Sequence, residues 1–162
     1  MTRRKAPDGG VTIRLGRRED VPAVVRLLAD DVLGASRERA EEPLPDEYWS
    51  AFDAMAAQGG NELLVATIGE EIVGCLQLTI IPGLSRTGLK RAQIEGVRVH
   101  AERRGAQIGE RLVRGAVERA QEAGCGMVQL TTDATRTSAQ QFYERLGFVP
   151  SHIGMKLSLP TA

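Results

Sequence analysis

The stretch IEGVRVHAERRGAQIG, Ile94 to Gly109, passes from an apolar alternation into a basic turn carrying two glycines. Val97 and Val99 flank Arg98 with the period of a strand that has one covered face. From Ile108 onward, Leu112, Val113, Ala116, Val117 and Ala120 recur at helical spacing. A helix start leaves backbone N–H groups unpaired and carries partial positive charge, so it suits an anion such as a phosphate. Arg103 and Arg104 add charge beside that start, and Gly105 and Gly109 allow close approach to the backbone. The stretch contains neither GxGxxG nor GxxxxGK[ST], so it is neither a dinucleotide fingerprint nor a P-loop.

Upstream, VTIRLG (11–16) alternates as a first strand, and the following segment puts Asp20 at an N-cap, Pro22 in the first turn and Val21, Val24, Val25 and Leu28 on one helix face. A second helix is expected from Asp46 toward Gly59, with Tyr48, Phe52 and Met55 at helical spacing. Residues 62–67 and 71–80 read as a hairpin, and strand character resumes over 89–100. Downstream of the 108–122 helix, MVQLTT (127–132) is a further strand. SAQQFYERLGF is a last helix stopped by Gly147, and GMKLSL (154–159) reads as a closing strand. The order strand, helix, helix, three strands, helix, strand, helix, strand shows no repeat. It predicts one α/β domain over 11–160 with a mixed sheet, after a flexible tail at 1–10.

Composition narrows the function classes. The 162 residues carry 21 Lys+Arg against 21 Asp+Glu, so there is no global basic field for nucleic acid, and any anion site must be local. The N-terminal ten residues lack the apolar core of a secretory signal, and no run approaches a membrane span. Cys75 and Cys125 lie in strand-like apolar contexts without CxxC or nearby His, which points to buried thiols in a reducing compartment rather than a disulfide or metal site. The expected location is the cytoplasm, with no metal, nucleic-acid or membrane partner.

A second motif, Ala139 through Phe148 (AQQFYERLGF), lies one helix and one strand beyond the basic turn. The two motifs in this order resemble the GNAT superfamily of acyl-CoA-dependent N-acetyltransferases. In that family a V-x-V strand leads into an R-G-x-G-x-G/A turn, and a later helix carries A-x-x-F-Y-E-x-L-G-F. Here the matching residues are Val97-Arg98-Val99, Arg104-Gly105-Ala106-Gln107-Ile108-Gly109 and the helix ending in Gly147-Phe148. Gln107 replaces the family's usual glycine, and Arg136 stands where asparagine is common. A side chain at 107 is tolerable if that residue adopts ordinary helical angles, with crowding of the pyrophosphate as the other reading. The element order matches over 11–159, but the specific motifs lie within 94–148.

The resemblance implies a GNAT-like α+β fold, with a mixed, mostly antiparallel central sheet flanked by helices. It further implies acetyl-CoA as cosubstrate, a primary amine acceptor, and often a homodimer. By the same likeness, Val97, Arg98 and Val99 would offer a strand edge to the pantetheine arm. Arg104, Gly105, Ala106, Gln107, Ile108 and Gly109 would cradle the pyrophosphate, and Arg136 would reach a phosphate or solvent. Tyr143 is the candidate donor to the leaving thiolate. Glu95, placed by alternation on the face of Val97, is the candidate base, since a half-buried carboxylate titrates closer to neutrality. His100 follows the strand end, His152 reads as structural with the border of the acceptor site as the other reading, and Tyr48, Trp49 and Phe52 read as core. The acidic residues of 38–47 read as a solvated face, with attraction of a cationic amine as the other reading. A non-catalytic acyl-CoA-binding sensor is the alternative for the whole chain.

Overall fold

The computed structural model describes residues 10–160. The tail expected at 1–10 therefore lies, apart from the exposed Gly10, outside the described residues. β1 (Val11–Leu15), β2 (Asn61–Ile68), β3 (Glu71–Ile81), β4 (Arg91–Val99) and β5 (Met127–Leu130) form a five-stranded sheet in the order β1-β2-β3-β4-β5. β1 to β4 pair antiparallel, and β5 runs parallel to β4. Gly69 at φ 57° makes the tight β2–β3 turn, and the pair Ile68–Glu71 closes the hairpin. β5 is parallel because a whole helix intervenes between it and β4, as parallel connections require.

That helix, α4 (Ile108–Glu122), covers one face of the sheet. Its Ile108, Leu112, Val113, Ala116 and Ala120 are buried against Leu64, Leu76, Leu78, Ala92 and Ile94, so the apolar stripe legible in the sequence faces the core. Val117 packs at the margin of the same cluster. The other face receives α1 (Val21–Ala29), whose Val24 and Leu27 meet Val65 and Cys75. α2 (Asp46–Ala57) closes over α1 through Tyr48, Trp49 and Phe52, which pack with Val21, Val25 and Leu44 as core rather than as a substrate wall. A short helical turn, α3 (Ser85–Gly88), joins β3 to β4, and α5 (Thr137–Arg145) follows β5. The start of α1 differs in detail from expectation. Asp20 is its N-cap residue, but the Asp20 carboxylate instead accepts from the Arg17 backbone N–H at 2.7 Å and the Arg14 guanidinium at 2.6 and 3.0 Å.

Gly74 sets the approach of α4 to the sheet. A Cβ there would lie 2.9 Å from Leu112 Cδ1, 3.0 Å from the Arg98 carbonyl oxygen and 3.2 Å from Ile108 Cγ2. The backbone oxygen cannot move without disturbing β4. Gly74→Ala is expected to cost about 1–3 kcal/mol of stability, as overpacking of a filled core does. Urea unfolding checks it: the midpoint falls while the slope stays constant.

One expected element is not formed. Residues 154–159 form no strand with another described residue, and Ile153, Met155, Leu157 and Leu159 are 76–92% exposed. The alternation of a one-faced strand is present, but a strand needs a neighbour for its backbone, and this segment meets none among the described residues.

Candidate active site

The site is built where β4 and β5 part. Their pairing covers Arg91 to Ile94 against Met127 to Leu130 and goes no further. Beyond it, Glu95 opposes Gln77 and Arg98 opposes Cys75, so Gly96 and Val97 together face Leu76 alone. This is a β-bulge, and Gly96 supports it at φ 61°, where a side chain would be costly. On the β5 side, residues 95–99 therefore present an open strand edge. The Val97 carbonyl is already in use, accepting from the Arg98 guanidinium at 2.9 Å.

The bulge overturns one expectation. Simple alternation puts Glu95 on the face of Val97, but the extra residue reverses the sidedness between them. Val97 and Val99 join the α4-side core, whereas Glu95 pairs with Gln77 on the α1 side and is exposed rather than half-buried. It stands one residue past the last β4–β5 pair, at the mouth of the opening.

At the far end of β4 the chain enters the basic turn. The His100 ring accepts from the Glu102 backbone N–H at 3.3 Å, capping a 3-10 turn over Ala101–Arg103; this is a structural role. Residues 101–107 are all exposed, with Gly105 at φ 85°. Gln107 is the N-cap of α4 at φ 60°, ψ 12°, which is left-handed rather than helical. The helical angles under which a side chain at 107 is tolerable are therefore not adopted, and a left-handed non-glycine residue costs about 1–2 kcal/mol. Ile108 is buried, which anchors the helix start while the turn before it stays open. Gly109 is packed closely: a Cβ there would lie 3.4 Å from the Phe142 ring and 3.6 Å from Val99. α4, α5 and the edge of β4 thus converge at Gly109. Arg103 is held by Glu71 at 3.2 Å, whereas Arg104 has no ion pair among the described residues.

Tyr143 projects from α5 into this convergence, edge-on to Phe142 (5.1 Å between centroids) and Phe148 (5.9 Å). Its hydroxyl has no hydrogen bond to another described residue. Burial raises its pKa above that of an ordinary phenol, while the charges of Arg136 and Arg98 pull it partly back. The two guanidiniums converge on Asp31, just after α1. Arg98 Nε lies 3.0 Å from Asp31 Oδ2 and Arg136 Nη1 lies 3.8 Å from it. The close contact is Coulombic, because the Nε–H is not aimed at the oxygen and neither atom has a hydrogen-bond partner. For Asp31, burial works against ionisation, but the Gly34 backbone N–H and the two arginines outweigh it and hold the carboxyl below its usual range. Asp31 is the site residue that sequence reasoning missed. The only local signal is the Asp31-x-x-Gly34 turn; its meeting with residues 98 and 136 is purely tertiary.

The remaining titratable candidates have local partners. His152 sits 2.7 Å from Ser151 Oγ and is exposed. The acidic residues near α2 are tied into the surface, Glu38 accepting from the Tyr48 hydroxyl at 2.7 Å and Glu47 from Arg39 at 3.1 Å. Cys75 is fully buried, which pushes its thiol up to about 12, while Cys125 is only partly buried. Among the described residues, no group of three or more His, Cys, Asp or Glu is arranged to hold a metal ion, and no helix is long and apolar enough to cross a membrane.

Both tyrosines, Tyr48 and Tyr143, are shifted upward by burial. Unfolded phenols titrate near 10. The folded chain therefore holds its phenolic protons where the unfolded chain releases them, and stability falls as pH rises above about 10. Absorbance at 295 nm at pH 10 should show less phenolate in the native protein than after denaturation.

An open strand edge running into an exposed turn at a helix start, with a tyrosine beside them, is the geometry that the two sequence motifs imply. A family model described as Acetyltransferase (GNAT) family matches residues 26–148. The chain belongs to the GNAT acetyltransferase family. The aminoalkylphosphonate N-acetyltransferase of Salmonella typhimurium is 30% identical over 149 residues, covering 86% of this chain and 95% of that one. The glucosamine 6-phosphate N-acetyltransferase 1 of rice is 32% identical over 120 residues, 71% of this chain and 70% of that one. Against N-alpha-acetyltransferase 30 of Xenopus laevis the match is 34% over 85 residues, and the chain spans only 30% of that protein's length. Among solved structures, a Bacillus halodurans C-125 protein described as a transcriptional regulator superposes with a TM-score of 0.90 at 52% identity, covering 92% of this chain and 99% of that one. A putative acetyltransferase from Agrobacterium tumefaciens gives 0.82 at 32%, covering 91% and 99%.

Proposed function

We propose that this GNAT protein is an N-acetyltransferase that moves the acetyl group of acetyl-CoA directly to a primary amine on a small molecule or peptide. The observation that carries this reading is the open edge of β4 at 95–99, continuous with the exposed turn 101–107 that leads into α4. An extended pantetheine arm adds to such an edge as a further strand through backbone atoms of Val97, Arg98 and Val99. The backbone N–H groups of residues 104–109 meet the pyrophosphate, and Arg104, which has no ion pair among the described residues, supplies charge there. The amine class is supported by the names of relatives that act on an aminoalkylphosphonate and on glucosamine 6-phosphate. The acceptor amine is the expected partner, in the reducing cytoplasm that suits a buried free thiol.

In the transfer, the neutral amine nitrogen attacks the thioester carbonyl carbon; a C–N bond forms, the C–S bond breaks, and sulfur leaves as thiolate. The Tyr143 hydroxyl donates a hydrogen bond to that sulfur. Outright proton transfer from an ordinary phenol to a thiolate is already uphill by about 2 kcal/mol. Burial makes Tyr143 a still weaker acid, so the hydrogen-bonding role suits it better. The charges of Arg98 and Arg136 act on the Tyr143 hydroxyl and favour negative charge beside it. Glu95, exposed at the mouth of the opening, accepts the amine proton through water.

A second reading, a non-catalytic acyl-CoA-binding sensor, is favoured by the description of the 52% identical Bacillus protein as a transcriptional regulator. A thiol-release assay with acetyl-CoA separates the two. The panel holds polyamines, aminoglycosides, amino acids, amino phosphonates, amino-sugar phosphates and lysine peptides. Amine-dependent thiol release abolished by Tyr143→Phe supports transfer. Binding of CoA without acetylation of any amine, indifferent to Tyr143→Phe, establishes the sensor.

A further inference from the structure

Arg98, Arg136 and Asp31 meet on the side of the sheet away from the phosphate turn. Arg98 stands opposite Cys75 in the register, and Cys75 packs with Val24 and Leu27 of α1. Directly opposed residues of an antiparallel pair share a face, so the Arg98 side chain is on the α1 side. The end of α1 stands over the bulge: a Cβ at Gly96 would lie 3.7 Å from Leu28 Cδ2. Just past that end, Asp31 draws Arg98 from β4 and Arg136 from the start of α5 to within 3.0 and 3.8 Å of its carboxylate. The basic turn instead leads into α4, which covers the other face.

One carboxylate does not satisfy two guanidiniums here. Asp31 Oδ2 and Arg98 Nε are buried without a hydrogen-bond partner, and the Arg136 guanidinium makes no hydrogen bond to another described residue. A further arginine, Arg37, comes from the segment after α1. It is exposed and has no close ion pair among the described residues. The Asp133 carboxyl is held below its usual range first by the Thr135 hydroxyl and backbone N–H, and then by the charges of Arg37 and Arg136. Arg37 therefore belongs to the same neighbourhood. Glu95, at the mouth of the opening, forms no ion pair with a described residue, so it does not neutralise these arginines. Guanidinium groups with spare N–H donors, gathered from distant segments beside a half-buried opening, suit the oxygens of a carboxylate or phosphate.

We propose that this cluster is an anion subsite for the acceptor, and that the acceptor is a compact amine carrying its own carboxylate or phosphate, held by Arg37, Arg98 and Arg136. The place of the amine rests on the acetyl-transfer reading, whereas the place of the anion rests on the arginines. The cosubstrate's pyrophosphate is served by the turn on the α4 side, so Arg136 serves the acceptor. The charges of Arg136 and Arg98 also reach the Tyr143 hydroxyl. A charge acts on a titrating group mainly from within about 6 Å. The attacking nitrogen must stand beside the thioester whose sulfur Tyr143 meets, so only a few bonds separate it from the anion. Polyamines and aminoglycosides lack that anion and would bring like charge to the arginines.

Matched amines test the subsite on the full chain: β-alanine against propylamine, and phosphoethanolamine against ethanolamine. Titration calorimetry is run with and without saturating CoA, and thiol release from acetyl-CoA is followed with the same four amines. The anionic member of at least one pair is expected to bind about tenfold tighter or more than its neutral partner. Whether the carboxylate or the phosphate pair shows the larger difference identifies the anion. Arg37→Gln and Arg136→Gln should each remove most of that difference, with affinity for CoA kept within about twofold. Both side chains are exposed, and Arg136 caps α5 without a side-chain hydrogen bond, so the fold survives either change. Where the anionic amine is acetylated, its advantage in kcat/KM should fall by the same factor. An anionic amine held through Arg37 and Arg136 but never acetylated upholds the subsite and removes the transfer reading. Neutral amines that bind and react as well as anionic ones keep the transfer reading and overturn the subsite. The subsite is overturned equally if no anionic amine binds, or if the arginine variants lose affinity for CoA while the pair difference stays.

Discussion

Gly105→Glu is expected to lower affinity for acetyl-CoA by about 100-fold or more, because it sets a carboxylate against the pyrophosphate, and like charges brought together cost several kcal/mol. Gly105 lies at φ 85° with no heavy atom near the position of a Cβ, so the new side chain meets open space rather than the core. The backbone conformation adds about 1 kcal/mol of strain, a cost to stability too small to unfold a domain of this size. Gly105→Ala shares the strain without the charge and should lose only a few-fold. Titration calorimetry with acetyl-CoA and with CoA checks both variants. Affinity unchanged by the glutamate would show that this turn does not hold the phosphates.

Tyr143→Phe is expected to reduce kcat by about 100-fold, the size of effect seen when one preorganised donor to a developing anion is removed. The ring contacts with Phe142 and Phe148 survive the substitution, and the hydroxyl has no hydrogen bond to another described residue, so the fold should lose little. Affinity for acetyl-CoA should stay within about twofold, because the lost interaction belongs to the transition state rather than to the bound ground state. Steady-state rates under saturating cosubstrate, set beside a calorimetric Kd, separate the two effects. An undiminished kcat would assign Tyr143 to packing alone.

The elements that the sequence announced most clearly are those whose residues carry their own partners. The stripe from Ile108 to Ala120 specifies a helix with one apolar face, and that face is buried against the sheet. The hairpin of β2 and β3 follows from two alternating runs and a short glycine turn. The closing strand at 154–159 was equally legible as a pattern but is unformed in the single chain. A strand is defined by its neighbour, and a sequence period says nothing about whether a neighbour is in reach.

The site divides along the same line. Gly105, Gly109, Tyr143 and the V-x-V edge were legible because each is specified by local backbone needs or by a motif a few residues long. Glu95 was assigned to the wrong face because alternation counts residues, and a bulge adds one without any change in apolar pattern. A side chain at Gln107 suits helical angles, yet the turn holds it left-handed, since the direction in which β4 delivers the chain to α4 is set by the sheet. Asp31 escaped notice because its meaning lies in two arginines that are 67 and 105 positions away in sequence, which only the folded chain brings to one carboxylate.

By itself, then, the sequence determined the family, the order of elements, the apolar faces and the helix start suited to a phosphate, all of which depend on short-range periodicity and backbone chemistry. Only the tertiary structure decided where β4 parts from β5, which way Glu95 faces, how Arg98 and Arg136 come together, and that the last apolar strip finds no cover among the described residues. Those outcomes depend on register and on contacts between distant segments, where a single inserted residue reverses a face and a single missing neighbour leaves a strand unpaired.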